Sequence, residues 1–150
     1  MLKTRLKESR ERLGLTQKEI AQIFNIHEST VSGWETGKDP IPFRKLLKYC
    51  DLFNYSIDYI LKLNDENIKN YSNTQTEART IGVKLRQIRI KNNHSQEDVA
   101  KLLNISQSCY SNYEQGRELI TTLAVYTMAK IYNFSIDKLV GRKQKIEVTL

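Results

Sequence analysis

The chain has 150 residues, 39% hydrophobic and 27% charged, with a formal charge of +7 and an isoelectric point near 9.4. That balance fits one ordinary soluble domain or two very small ones, and the excess of cations suits a polyanionic partner, nucleic acid before membrane. Sparse Gly and Pro, two distant cysteines and no apolar run near the roughly 20 residues that span a bilayer argue against a disulfide-stapled or membrane-spanning fold.

The first fourteen residues, MLKTRLKESRERLG, carry charge throughout and lack an apolar signal core, so a reducing cytoplasm is the expected compartment. A first helix is predicted over Leu2–Leu13, ended by Gly14 in the left-handed position that closes helices. Thr16 and Glu19 have capping-box spacing and open a second helix to about Phe24, with Ile20, Ala21 and Phe24 as its core face. After the tight connection Asn25-Ile26-His27, a third helix ends near Glu35, just before Gly37, with Val31 and Trp34 turned inward. A fourth covers Phe43–Phe53, and a short fifth is capped by Ser56 with Ile57 and Ile60 as its apolar stripe. Residues 62–78, KLNDENIKNYSNTQTEA, have the composition of a polar linker, part of which can extend a flanking helix. A free chain of that length spans roughly 20–25 Å r.m.s..

Then the sequence begins again. At an offset of 79 residues, Leu2–Leu61 aligns without a gap on Ile81–Val140, with roughly a quarter of the pairs identical. LTQKEIAQIFNI lies over HSQEDVAKLLNI, and FNYSIDYIL over YNFSIDKLV. Asn93 replaces Gly14. Ser95 and Asp98 repeat the cap, with an Asp side chain short for closing the box. Val99, Ala100 and Leu103 form the next core face, Tyr110 and Tyr113 point inward, and further helices cover Thr122–Tyr132 and the turn after Ser135, with Ile136 and Leu139. The predicted organisation is a first domain at 1–61, the linker, a second domain at 79–141 and a basic tail at 142–150. Each domain is small enough to be only marginally stable alone. In the tail, Ile146, Val148 and Leu150 alternate with polar residues. That suggests a short strand, which needs a partner.

Two short helices joined by a tight turn, the second polar on its outer face, form a helix-turn-helix. Thr16, Gln17, Ile20 and Ala21 followed by STVSGWETG (Ser29–Gly37) resemble the phage-repressor and Cro-like helix-turn-helix domains often called the XRE family, and the second copy repeats the pattern. The resemblance implies an all-α fold of two tandem five-helix lambda-repressor-like domains. It implies a sequence-specific regulator of transcription, a repressor, that reads double-stranded DNA with the third helix of each domain. The reading positions it implies are His27, Glu28, Ser29, Ser32 and Gly33 in the first copy, and Ser106, Gln107, Ser108, Ser111 and Asn112 in the second. Gln107 and Asn112 carry amides that can pair bidentately with adenine. Gln17 and Gln96 match a family glutamine that contacts phosphate and steadies a reader. Arg10/Glu35 and Arg89/Glu114 match a pair that fixes the first helix against the third. Lys38, Arg44 and Arg117 are candidate phosphate contacts by their nearness to the motif.

The copies differ where bases would be touched. Glu28 places a carboxylate at a reading position, Gly33 has no side chain, and His27 is a poor N-cap where Ser106 is a good one. The first copy holds ten basic and eight acidic residues, a net +2, against +4 in the second and +2 in the tail. The second domain is therefore the expected stronger reader. The tail is a candidate homodimer element. The alternative reading is an antitoxin-like module that binds a protein partner as well as operator DNA, through the linker and tail. The helix aromatics, Cys50 and Cys109 read as packing residues. His27 and His94 lack partners at metal spacing, and no Gly-rich phosphate loop or nucleophile-base arrangement is present, so neither enzyme chemistry nor a cofactor is expected.

Overall fold

The computed structural model describes residues 2–72, 74 and 77–145. In chain order its helices are α1 (Leu6–Arg12), α2 (Gln17–Phe24), α3 (Glu28–Thr36), α4 (Phe43–Phe53) and α5 (Ile57–Ile60), then α6 (Ala78–Lys91), α7 (Gln96–Leu103), α8 (Gln107–Gln115), α9 (Thr122–Tyr132) and α10 (Ile136–Leu139). The fold is all-α, five helices per copy. None of the described helices is long and apolar enough to cross a membrane.

Local chemistry sets most helix ends. Thr16 accepts from the Glu19 amide while the Glu19 carboxylate takes the Thr16 amide at 3.1 Å. The Ser95/Asp98 box also closes, at 2.8 Å from the Ser95 amide to Asp98. The short Asp side chain is thus sufficient, because the first turn of α7 brings the two residues close enough. Helices α2, α4, α7 and α9 end on asparagines in the left-handed conformation, Asn25, Asn54, Asn104 and Asn133, which Asn tolerates better than most side-chain-bearing residues.

The first helix differs from the sequence expectation of a start at Leu2. It begins at Leu6, because the Arg5 amide donates to the Ile60 carbonyl at 2.8 Å and its guanidinium reaches the carbonyls of Tyr59 and Asn64 and the Asp65 carboxylate. Its counterpart α6 is twice as long, 14 residues against 7. Gly82 and Gly116 permit that extra length. A Cβ on Gly82 would strike the Tyr113 and Glu114 carbonyls, and one on Gly116 would strike the Arg79 backbone. The first turns of α6 therefore lie directly against the end of α8.

The first copy packs Leu6, Ile20, Phe24, Val31, Trp34 and Leu46, with Phe24 edge-on to Trp34 at 6.0 Å. The second packs Leu85, Val99, Leu103, Tyr110, Tyr113 and Val125 in the matching places. The two cores join into one cluster across α5 and α10, where Ile57, Ile60, Leu61 and Ile136 are fully buried.

That seam is reciprocal. Asp137 accepts from Ser56 Oγ at 2.8 Å, the Ile57 amide at 2.9 Å and the Asp58 amide at 3.0 Å. Asp58 accepts from Ser135 Oγ at 2.6 Å and the Ile136 amide at 2.8 Å. Each copy's aspartate caps the other copy's last helix. One symmetry break accompanies the seam. Arg142, where the first copy has Leu63, enters the first copy and donates to the Tyr55 carbonyl at 2.9 Å and to Asp137 at 2.7 Å. Its Nε lies 3.3 Å from Asp51, and its guanidinium lies over the Tyr71 ring at 4.6 Å.

The polar segment after Leu61 is not a free tether over its described residues. Asn67 Oδ1 takes the Ser56 amide at 2.8 Å, the Asn70 amide donates to Asn54 at 2.9 Å, and Thr74 Oγ1 meets Asp51 at 2.6 Å. Tyr71 forms an isolated antiparallel bridge with Gln144, flanked by the Ser72 amide on the Lys143 carbonyl and the Lys145 amide on the Asn70 carbonyl. The tail thus begins by pairing with its own linker. The strand expected at Ile146, Val148 and Leu150 lies outside the described residues.

Candidate nucleic-acid interface

Each helix-turn-helix is held by a buried ion pair. Arg10 grips Glu35 through Nε at 2.6 Å and Nη2 at 3.0 Å, and Arg89 grips Glu114 at 2.7 and 3.0 Å. The glutamate side chains are 4% and 3% exposed. Burial works against the charge on Glu114, but the hydrogen bonds from Arg89 and Gln96 outweigh it and hold its carboxyl below the usual range. The same hydrogen bond raises Arg89 above its ordinary value. A bidentate pair of this geometry fixes direction as well as distance, so α1 and α6 are locked to the last turns of α3 and α8.

Gln17 and Gln96 join these clusters. Their Nε2 atoms donate to Glu35 at 3.0 Å and to Glu114 at 3.2 Å. Each amide thus braces the turn between the two motif helices with one N–H, and its Oε1 and second N–H keep the capacity for the phosphate contact that the resemblance implies.

The reading positions divide cleanly between the copies. On α3, His27, Glu28 and Ser29 are exposed and Ser32 is half-buried. His27 makes no cap hydrogen bond. Gly33 is buried, because Asp39 folds over it into the space a Cβ would fill, with the Asp39 amide on the Gly33 carbonyl at 3.1 Å. Gly33 thus offers no side chain to the reading surface and lines it only with backbone. A groove on this face is lined by Ser29, Ser32, Thr36, Lys38 and Asp39, so a second carboxylate joins Glu28 near the helix.

On α8, Ser106, Gln107 and Ser108 are exposed, and Ser111 and Asn112 half-buried. Ser106 Oγ caps the helix through the Cys109 amide at 3.1 Å and meets Ser108 Oγ at 3.2 Å. Ser111 Oγ accepts from Gln115 at 3.0 Å. Among the described residues, the side-chain hydrogen bonds of this helix run through the serines, Gln115 and the inward Glu114, and leave the Gln107 and Asn112 amides open to a ligand.

Lys38 and Arg117 are exposed just past the left-handed glycines that end α3 and α8, the Arg117 amide donating to the Asn112 carbonyl at 3.0 Å. Arg44 is exposed on the first turn of α4 and does not line the α3 groove. Two residues escaped the sequence reading. Asp39 follows α3 in a turn whose local sequence gives no sign that it folds over Gly33. Arg79, exposed and packed by its backbone against Gly116, stood at the linker boundary. The signal that finds Arg79 is the pair of glycines that lets α6 approach α8.

The remaining polar groups are structural. His94 Nδ1 bonds the Tyr132 hydroxyl at 2.7 Å, and burial pushes the Cys50 thiol well above its usual value. No group of three His, Cys, Asp or Glu side chains that could hold a metal occurs among the described residues.

A family model described as helix-turn-helix matches the chain twice, over residues 6–60 and 85–139. The chain is 39% identical over 66 residues, 44% of its length and 52% of the relative's, to the HTH-type transcriptional regulator ImmR of Bacillus subtilis (strain 168). It is 34% identical over 62 residues, 41% of its length and 55% of the relative's, to the uncharacterized HTH-type transcriptional regulator YobD of the same strain. The chain thus spans about half the length of the curated relatives it matches. Among solved structures it is similar to the restriction-modification controller protein C.AhdI from Aeromonas hydrophila, at 22% identity and TM-score 0.39 over 41% of this chain and 94% of that one. It is also similar to the clp gene regulator ClgR from Corynebacterium glutamicum, at 16% identity and TM-score 0.40 over 45% and 86%.

Proposed function

Because the chain belongs to the helix-turn-helix family, we propose that it is a sequence-specific regulator of transcription that binds double-stranded DNA in the cytoplasm and represses by occupying its operator. The domains are 1–61 and 79–141. A helix fits the major groove and can present its N-terminal residues to base edges. On α8 these are Ser106, Gln107, Ser108, Ser111 and Asn112, with Gln107 and Asn112 suited to adenine. On α3 they are His27, Glu28, Ser29 and Ser32, with Glu28 able only to accept, as from cytosine N4. Lys38, Arg44 and Arg117, with Arg79, neutralise phosphates. Gln17 and Gln96 brace the motif and contact phosphate with their remaining amide groups. Occupancy of the site excludes polymerase, so no chemistry is needed.

The observation that carries this reading is the open pair of amides on a helix whose orientation is clamped by the buried Arg89–Glu114 pair. It favours α8 as the stronger reader, since α3 offers Glu28 and Asp39 in the matching region. The tail stays a candidate homodimer element through Ile146, Val148 and Leu150, which follow the described residues; Lys143 and Lys145, just before them, bond Ser72 and Asn70 of the same chain. Selection of bound sites from a random DNA pool by the full chain tests it. One enriched sequence is the expected result. Enrichment of none, or an enriched site indifferent to both Gln107→Ala and Asn112→Ala, overturns it.

A further inference from the structure

Resting on that reading, we propose that one chain is the whole reader, and that its operator is an inverted repeat of two unlike half-sites. The observation is the reciprocity of the α5–α10 seam. Ser56, Ile57 and Asp58 correspond to Ser135, Ile136 and Asp137 at the offset of 79. Ser56 and Ile57 bond Asp137, and Ser135 and Ile136 bond Asp58. A contact in which residue i meets j and the equivalent of j meets the equivalent of i arises from a two-fold operation. A head-to-tail repeat would bring two different patches together.

A two-fold relation at α5–α10 applies to everything rigidly attached to those helices, including α3 and α8. The attachment is firm. The seam is continuous with both cores, Arg142 is 3% exposed and bonded to both copies, and the linker is hydrogen-bonded along the first copy. Two reading helices related by a dyad address half-sites on opposite strands, as dimeric helix-turn-helix readers do. Here one polypeptide supplies both.

The half-sites are unlike because the two faces are. A homodimer must present the same face twice, and this chain does not. Glu28 stands where Gln107 stands, and Gly33, covered by Asp39, where Asn112 stands. A perfect palindrome of either half-site then suits only one of the two helices.

The test uses the full chain and the operator obtained by selection, with halves termed left and right. The parent site is compared with a version in which one half is reversed into a direct repeat, with the left–left and right–right palindromes, and with a spacer lengthened by about 5 base pairs, half a turn. One chain per duplex by native mass spectrometry is expected, with about 100-fold weaker binding to the direct repeat and to the lengthened spacer and at least about 10-fold weaker binding to each palindrome. Asp58→Ala, which uncouples the seam, should reduce the penalty of the lengthened spacer to a fewfold. If that variant loses helical content by circular dichroism, Ser135→Ala removes a bond of the same cap from the other side. A direct repeat bound as well as the parent, a palindrome bound as well as the parent, or two chains per duplex overturns the proposal and leaves DNA reading intact. Failure of any sequence to be selected overturns the reading beneath it as well.

Discussion

Helices α3 and α8 are nine residues each, follow equally capped partners, end on left-handed glycines and are held by the same arginine–glutamate–glutamine cluster. What they show to solvent is nearly opposite. One side carries Glu28 and Asp39 around a covered glycine. The other carries two unsatisfied amides behind a serine cap. Positions that shape the turn and positions that address a ligand are thus separable within nine residues, because the first face inward or along the helix axis and the second face out.

The largest effects test the shared half of that comparison. Glu35→Ala and Glu114→Ala each leave a part-buried guanidinium without its partner and should each cost about 3 kcal/mol in chemical denaturation. Clearly unequal costs would break the claim that the two scaffolds are equivalent. Next comes the seam that joins them. Burial, reinforced by Asp137, pushes the Asp58 carboxyl up to about 6 from 3.8, against the bonds from Ser135 and Ile136. The folded chain therefore keeps a proton that the unfolded chain releases. Stability should fall as pH rises through that window, by about 3 kcal/mol, and Asp58→Asn should flatten the slope. A wild-type stability that rises across the window would reverse the assignment.

The unshared half is tested by binding. Gln107→Ala and Asn112→Ala should each weaken specific binding by about 1–3 kcal/mol and relax one base position, with Ser32→Ala well below that. Equal losses from the two helices would erase the ranking. Smallest is the cap. Ser106→Ala should cost about 1 kcal/mol of stability and His27→Ala a few tenths, a difference that thermal denaturation can register.

Much of this was legible in the sequence because it is written locally. The bounds of α4 and α9, Phe43–Phe53 and Thr122–Tyr132, follow from apolar periodicity and flanking caps. The Arg10–Glu35 pair and the inward aromatics followed from the motif. What stayed hidden depends on contacts distant in sequence. The Ser-Ile-Asp motif reads as a helix cap, which it is, but its aspartate caps the helix of the other copy. Arg142 reads as the first charge of a basic tail, yet it is buried in the first copy. Asp39 reads as loop, and only the fold turns it over Gly33. Arg5 sits in a helical pattern and is drawn out of it by the Ile60 carbonyl.

Arg142 also sets an order on the birth of the molecule. The Tyr55 carbonyl and Asp51 wait for a residue roughly 90 positions downstream, a delay of about 4–18 s at translation rates of roughly 5–20 residues per second. Until then the nascent first copy has a complete α3 and an unfilled seam. The latch that Arg142 supplies therefore closes only after the helices of both copies have been made, as an addition to the aspartate caps that already join them.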